Sequence, residues 1–439
     1  MSIAYSTYKL ITSGLFLCGF PLVRACRRFT GRFRDDIDRR LGNYPPGLLP
    51  SRSGRTRIWI HAVSVGEVKA TVPIISALKR LIASGEIIVS TSTSRGQVFA
   101  REILSDKAVC IYMPVDYIGA VRKALSEIQP DVLALMETEI WPNLLVEANK
   151  RGIKTAVVNG RISLRTIRRY LKIRPLMKET LRRVDAFSLI SKEDADRFLE
   201  IGALSDRITV AGNSKFDLST DGFDDGIHRR MTKRYQVIDD EPVIVAGSTR
   251  RSEETIVLDA FEAVRRDFPE ALLILAPRHV ERSRMIADLV RRRGFSYQFR
   301  TELDRSGIRR DAPVVILDTI GELQAVYSIA TLAFCGGSLV PLGGQNILEP
   351  AMWGRPVIYG PSMEDFRDAK LLLEKEGGGI PVADGEELAE KFLYYLHRPL
   401  EAERAGKAAR KAVVSNQGAG QRHARVIRSL CPSNPAHKK

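Results

Sequence analysis

The chain has 439 residues, and its 44% hydrophobic and 27% charged content excludes a single small module, a disordered or collagen-like chain and a polytopic membrane protein. Lys plus Arg number 68 against 52 Asp plus Glu, and the net +16 attracts phosphate on nucleotide, nucleic acid or anionic lipid alike. The five cysteines (Cys18, Cys26, Cys110, Cys335, Cys431) are scattered and form no CxxC, which argues against a disulfide framework or thiolate metal site and fits a reducing compartment.

At the amino end, residues 10–23 carry no charge, but Thr12, Ser13, Gly14, Gly19 and Pro21 dilute the run. A full span and a helix lying in the membrane interface are both compatible with it. Arg24, Arg27, Arg28, Arg32 and Arg34 follow at once and place the remainder on the cytoplasmic side. No small-x-small cleavage site follows, so an anchor over residues 1–30 is expected rather than a cleaved signal, with a buried core helix as the other alternative.

After a Pro, Gly and Ser-rich stretch at 42–56, short apolar runs alternate with amphipathic ones. Strands are predicted over 58–62, 87–90, 109–113, 132–136, 155–159 and 186–190, and helices over 68–81, 96–104 and 140–151, with another opened by the S-x-x-D box at Ser191. The rhythm lapses into polar sequence between Asp217 and Asp240, with Gly222 and Gly226. It then resumes with strands at 243–246, 272–276, 314–317, 332–335 and 357–359 and helices at 386–396 and 401–414. The expectation is α/β: two Rossmann-like, doubly wound parallel-sheet domains over 31–217 and 218–425, a cleft between them, and a basic tail over 426–439.

Ligands in such sheets sit beyond the carboxyl ends of the strands, so the loops there carry the chemistry. The first runs His61-Ala-Val-Ser-Val-Gly-Glu67. Glu67 completes an S-x-x-E box with Ser64 and either closes the helix start or stands as a general base. The second holds Glu137, Glu139 and Trp141; its acids either satisfy the free amides of the next helix or act on a ligand. Lys215 in 212–217 is either solvated or a point charge for a developing oxyanion. In the second half Ser248, Thr249 and Arg250 offer donors for a phosphate or carboxylate, and Pro277-Arg278-His279 follows its strand in the same way. The richest loop carries Gly336-Gly337-Ser338 and Gly343-Gly344-Gln345-Asn346-Ile347-Leu348-Glu349. Its glycines permit close approach to a phosphate, while Asn346 and Glu349 suit a nucleotide and its ribose diol. No GxGxxG, P-loop, HExxH or GxSxG is present and the six histidines are dispersed, so chemistry without a bound metal is expected. The basic segments lack interleaved aromatics, and nucleic acid is not expected as a partner.

Taken in order, HAVSVGEV, METEIWPN, GNSKFD, APRH, DTIGEL and GGSLVPLGGQNILEP closely resemble the Kdo transferases, the 3-deoxy-D-manno-octulosonic acid transferases of lipopolysaccharide assembly, over nearly the whole chain. The resemblance implies a GT-B glycosyltransferase at the cytoplasmic face of the inner membrane. CMP-Kdo would be the donor, a substrate rather than a cofactor, and a lipid A precursor the acceptor, with anionic inner-membrane lipid as a further partner. It implies Glu67 as catalytic base and Glu137 and Lys215 as the groups that steady the transition state. CMP contacts fall on Pro277, Arg278, Ile320, Gly321, Glu322, Asn346, Ile347, Leu348 and Glu349. Where the family commonly has a histidine, this chain has Gln345, and no role is carried over to it. Two other readings stay open: a GT-B enzyme for a different nucleotide sugar, and a non-catalytic basic membrane-associated adaptor.

Overall fold

The computed structural model describes residues 3–30, 36–52, 54–217, 224–304 and 308–432, with the side chains of 20–30 and 36 excepted. Arg24, Arg27 and Arg28 fall where only backbone is described, and Arg32, Arg34, Gly222 and tail residues 433–439 lie outside the described residues.

The chain divides into two compact units, residues 1–217 with 417–439, and residues 218–416. The first unit holds β1 (Arg57–His61), β2 (Glu86–Thr91), β3 (Val109–Tyr112), β4 (Val132–Met136), β5 (Lys154–Gly160), β6 (Ala186–Leu189) and β7 (Ile208–Val210), in the order β3-β2-β1-β4-β5-β6-β7. The second holds β8 (Val243–Thr249), β9 (Leu272–Pro277), β10 (Tyr297–Phe299), β11 (Val314–Ile316), β12 (Leu332–Cys335), β13 (Val357–Tyr359) and β14 (Gly379–Pro381), in the order β10-β11-β9-β8-β12-β13-β14. Every described pairing is parallel. Helices therefore cover both faces, and the central strands read as unbroken apolar runs, VLALM in β4 and LLILAP in β9, buried along their whole length.

This topology fixes where ligands go. Chain order reverses between β1 and β4 in one sheet and between β8 and β12 in the other, and loops leaving such a pair part to open a crevice. The four loops at these two switch points are the ones carrying Glu67, Glu137, Arg250 and the paired glycines.

The second domain does not extend to residue 425, and 426–430 are no tail. The helix Ala419–Leu430 belongs to the first unit because Ala424 and Ile427 fill an apolar layer with Val68, Ile74, Val132 and Ala156. Its N-terminus, entered through left-handed Gly418, is held by Asp217, whose carboxylate accepts from Ala419 N at 3.2 Å and Gly420 N at 2.6 Å. His423 bridges inward, with Nδ1 at 2.7 Å from Ser188 Oγ and Nε2 at 3.0 Å from the Gly212 carbonyl.

The amino-terminal helix Ile3–Thr30 lies against the same unit along one face. Tyr5 packs on Val146 and Leu176 and donates to Asn143 Oδ1, Tyr8 donates to Asp116 Oδ2 at 2.8 Å, and Phe16 stacks on Tyr117. The other face leaves Ile3, Leu10 and Leu17 exposed, with Leu15 exposed at its flank. Among the described residues no helix is long and apolar enough to cross a membrane.

Candidate active site

The loop after β1 bends into the helix Val65–Leu81 at Ser64, whose extended backbone would suit an N-cap. The hydroxyl, however, caps no backbone N–H. It donates instead to Glu67 Oε1 at 3.3 Å, while Glu67 Oε2 accepts from Val63 N at 2.8 Å. The box is thus half formed, and its carboxylate carries a cost that capping alone does not explain. Burial outweighs these bonds and, with the neighbouring charges of Glu137 and Glu139, lifts the Glu67 carboxyl from the usual range to about 7.

Glu137 follows β4 in a left-handed conformation, φ 53°. That costs a non-glycine residue energy and is held because the side chain is fixed at both oxygens: Oε1 lies 2.6 Å from Lys215 Nζ and Oε2 2.9 Å from Arg161 Nε. Glu139 accepts from Trp141 Nε1 at 2.9 Å, and burial first, then the Glu137 charge, raises its carboxyl. Neither acid caps the following helix, Pro142–Lys150. Its first free amides, Asn143 N and Leu144 N, are taken by the two oxygens of Asp116. The helix-capping alternative for Glu137 and Glu139 is thereby excluded.

His61, at the end of β1, is wholly buried and sits 3.9 Å from Glu139. Burial lowers its imidazole to about 4, so it is neutral near pH 7 and the contact is no ion pair. Its Nδ1 faces the Ser90 carbonyl at 3.1 Å, which requires the proton there and leaves Nε2 as an acceptor.

Lys215 is not merely solvated. It lies in the single turn Ser214–Phe216, pinned by Ser214 N to Asn159 Oδ1 at 2.8 Å, by Ser214 Oγ to the Ala70 carbonyl at 2.8 Å, and by His423 at Gly212. Glu67, Glu137 and Lys215 are thus brought together on one unit, as their separate places in the sequence could not show. Arg161, Asp116, Asp217 and His423 escaped the sequence reading. Only Arg161, directly after β5, carried the strand-end signal that could have found it.

In the second unit, Glu253 opens the helix Glu253–Asp267 and is fully buried. Its Oε2 accepts from Arg250 N at 2.9 Å and Gly337 N at 2.6 Å, and its Oε1 from Ser338 N and Leu339 N, each at 2.9 Å. The remaining glycine amides are also used: Gly343 N donates to Ser362 Oγ and Gly344 N to the Gly337 carbonyl. These backbone groups are therefore taken up by the chain's own oxygens. Left-handed Gly337 (φ 67°) and the contact of Gly336 with the Ser248–Thr249 backbone explain the glycines as packing requirements.

Side chains of the same loops keep unused donors. Thr249 Oγ1 and Arg250 Nε are buried without a hydrogen-bond partner among the described residues, and the exposed Arg278 makes no side-chain bond among them. Ser248 holds φ 56°, and Pro277 ends β9. Beyond β11, Ile320 projects with 84% of its surface exposed beside left-handed Gly321, while Glu322 is held by Thr319, Arg300 and Arg234. Asn346 donates to Glu349 Oε1 at 2.9 Å and accepts from Leu348 N, just after the buried Ile347, and the Gln345 side chain donates to the adjacent Gly344 carbonyl at 2.8 Å.

A family profile described as 3-Deoxy-D-manno-octulosonic-acid transferase (kdotransferase) matches residues 35–218. A 3-deoxy-D-manno-octulosonic acid transferase of Haemophilus influenzae is 30% identical over 95% of this chain and 96% of its own length. A bifunctional glycosyltransferase/methyltransferase of Fusobacterium nucleatum is 35% identical over 73% of this chain, which spans half of that longer protein. Among solved structures, a glycosyltransferase from Rickettsia africae superposes with a TM-score of 0.53 at 15% identity, covering 86% of this chain and 98% of its own, a likeness of fold alone. The chain therefore belongs to the 3-deoxy-D-manno-octulosonic acid transferase family and is a glycosyltransferase.

Proposed function

We propose that the chain transfers Kdo from CMP-Kdo to the glucosamine disaccharide of a lipid A precursor, lipid IVA, in lipopolysaccharide synthesis. The observation that carries this reading is Glu67: a partly buried carboxylate lifted to about 7, beside Glu137 with its ion-paired Lys215. A base is most effective when its pKa lies near the working pH.

In the reaction, an acceptor hydroxyl oxygen forms a bond to the anomeric carbon of Kdo. The bond from that carbon to the phosphate oxygen breaks, and CMP leaves with the electron pair. Glu67 takes the hydroxyl proton, and attack opposite the leaving group inverts the anomeric centre. Lys215 gives one N–H to Glu137 and keeps two for oxygens that gain charge in the transition state, with Arg161 on the far oxygen holding Glu137 in place. The leaving group is a single phosphodiester, whose charge Arg250 and Arg278 can meet, so no cofactor is required. Ser248 and Thr249 add hydroxyls to that site. Ile320 and Gly321 offer an apolar platform for the base, with Pro277, Glu322 and the run Asn346, Ile347, Leu348 and Glu349 completing the CMP contacts.

The amino-terminal helix supports a place at the cytoplasmic face of the inner membrane. One face is fixed to the first unit and the other exposes Ile3, Leu10 and Leu17, as suits a helix lying in the interface. The test is to incubate the protein with CMP-Kdo and tetraacyl precursor and count added sugars by mass spectrometry. Stabilisation against heat by UDP-sugars and not by CMP, with no added Kdo, would refute the donor assignment.

A further inference from the structure

The helix Leu164–Lys172, reached from β5 through Arg161, carries Arg165, Arg168, Arg169 and Lys172. At about 100° per residue these four fall within an arc of about 100°, diametrically opposite Ile167 and Tyr170, which face the protein. All four are exposed, and none makes a hydrogen bond or ion pair among the described residues. Arg165 with Arg168 and Arg169, and Lys172 with Arg168 and Arg169, are like charges three or four residues apart, each pair unfavourable to the helix. A helix that concentrates four mutually repelling cations with no counter-charge among the described residues is suited to an anionic surface outside the protein.

Its surroundings identify the surface. Leu164 and Ile173, at the two ends of the cationic stripe, are 66% and 46% exposed. The next helix, Arg174–Leu181, packs through Leu176 on Tyr5 of the amino-terminal helix, whose far side exposes the apolar residues described above. Cations flanked by exposed apolar side chains, continuous with an amphipathic helix, match the headgroup layer of an anionic bilayer. Tyr170 on the same helix donates to the Thr138 carbonyl at 3.2 Å, and Thr138 Oγ1 donates to the Arg161 carbonyl at 2.8 Å, which ties this face to the Glu137 loop.

We propose that the helix Leu164–Lys172 is a second membrane contact, separate from the amino-terminal helix, and that its cationic stripe binds the phosphate-rich surface of an anionic bilayer and sets the Glu137 loop at that surface. The inference deepens the membrane reading above and rests on it. The experiment measures partition of the full chain onto phosphatidylcholine vesicles with and without phosphatidylglycerol, for the native protein and for R165Q/R168Q/R169Q/K172Q. The variant is expected to lose at least tenfold in binding to the anionic vesicles and to show a shallower dependence on salt, with binding to neutral vesicles unchanged and the thermal midpoint no lower than that of the native protein. Its Kdo transfer to detergent-dispersed acceptor is expected to match the native protein. Native binding that the variant retains in full overturns the proposal alone; equal losses on neutral and anionic vesicles also overturn it. Failure of the native protein to bind anionic vesicles overturns both this proposal and the membrane reading, while leaving the transfer chemistry to its own assay.

Discussion

Lys215 Nζ lies 2.6 Å from Glu137 Oε1, joining a residue three strands later in the chain to the loop after β4, while Arg161 holds the other oxygen. The carboxylate is buried and both cations are only partly exposed, so removing it leaves two positive charges facing each other. Glu137→Gln is expected to destabilise the first unit by about 1–2 kcal/mol, less than a fully buried pair because solvent screens the cations. Lys215→Ala is expected to lower kcat by about 10²-fold with little change in CMP affinity. Thermal unfolding and steady-state kinetics check the two values.

The pH profile follows from Glu67. A base must be deprotonated, and this carboxyl titrates at about 7, so transfer should rise about tenfold per pH unit below 7 and level off above it. Glu139 contributes to that rise by its charge. Glu139→Gln keeps the Trp141 partner through its carbonyl oxygen but removes the charge, so the acidic limb should move to lower pH. A limb that moves to higher pH would contradict the electrostatics.

Glu253 gives a different prediction. Each carboxylate oxygen accepts two backbone N–H groups from loops on both sides of the β8/β12 switch point. Glu253→Gln turns one oxygen into a donor and leaves two buried N–H groups unpaired, a loss of about 2–4 kcal/mol. The thermal midpoint should fall by several degrees. KM for CMP-Kdo should rise more than kcat falls, because the loop holding Arg250 loosens. Calorimetric titration with CMP measures this directly.

Asp116 joins the amino-terminal helix to the first unit, accepting from Tyr8 and from two amides of the helix Pro142–Lys150. Asp116→Ala leaves those amides unmet and is expected to cost about 2 kcal/mol, whereas Tyr8→Phe loses one bond and about 1 kcal/mol. Limited proteolysis should cut near the amino-terminal helix sooner in both variants, and most quickly in Asp116→Ala.

The long apolar runs made most of both sheets legible: β4 and β12 begin and end where the pattern of buried residues says, because strands covered on both faces need unbroken apolar sequence. The edge strands β7, β10 and β14 escaped notice because each has three residues and a half-open environment that imposes no such pattern. The helix Ala419–Leu430 and its place in the first unit were not legible because its partners, Asp217 and Ser188, lie some 200 residues away, a distance no local period can report. The internal bonding of the glycine loop was not legible for a related reason: Glu253 sits more than eighty residues before it, and only the folded chain shows that its amides hold a carboxylate. Glu67, by contrast, could be found from strand-end position alone, although its raised titration arises only from burial and the approach of two other acids.

The most direct test of the account is Glu67→Gln, which removes the proton acceptor but keeps the Val63 and Ser64 neighbourhood. Transfer of Kdo from CMP-Kdo to lipid precursor and binding of CMP are measured on the same preparation. The account predicts a fall in transfer of about 10²- to 10⁴-fold with CMP affinity within a factor of about two of the native protein. Transfer at a native rate by this variant, with CMP bound normally, would contradict it.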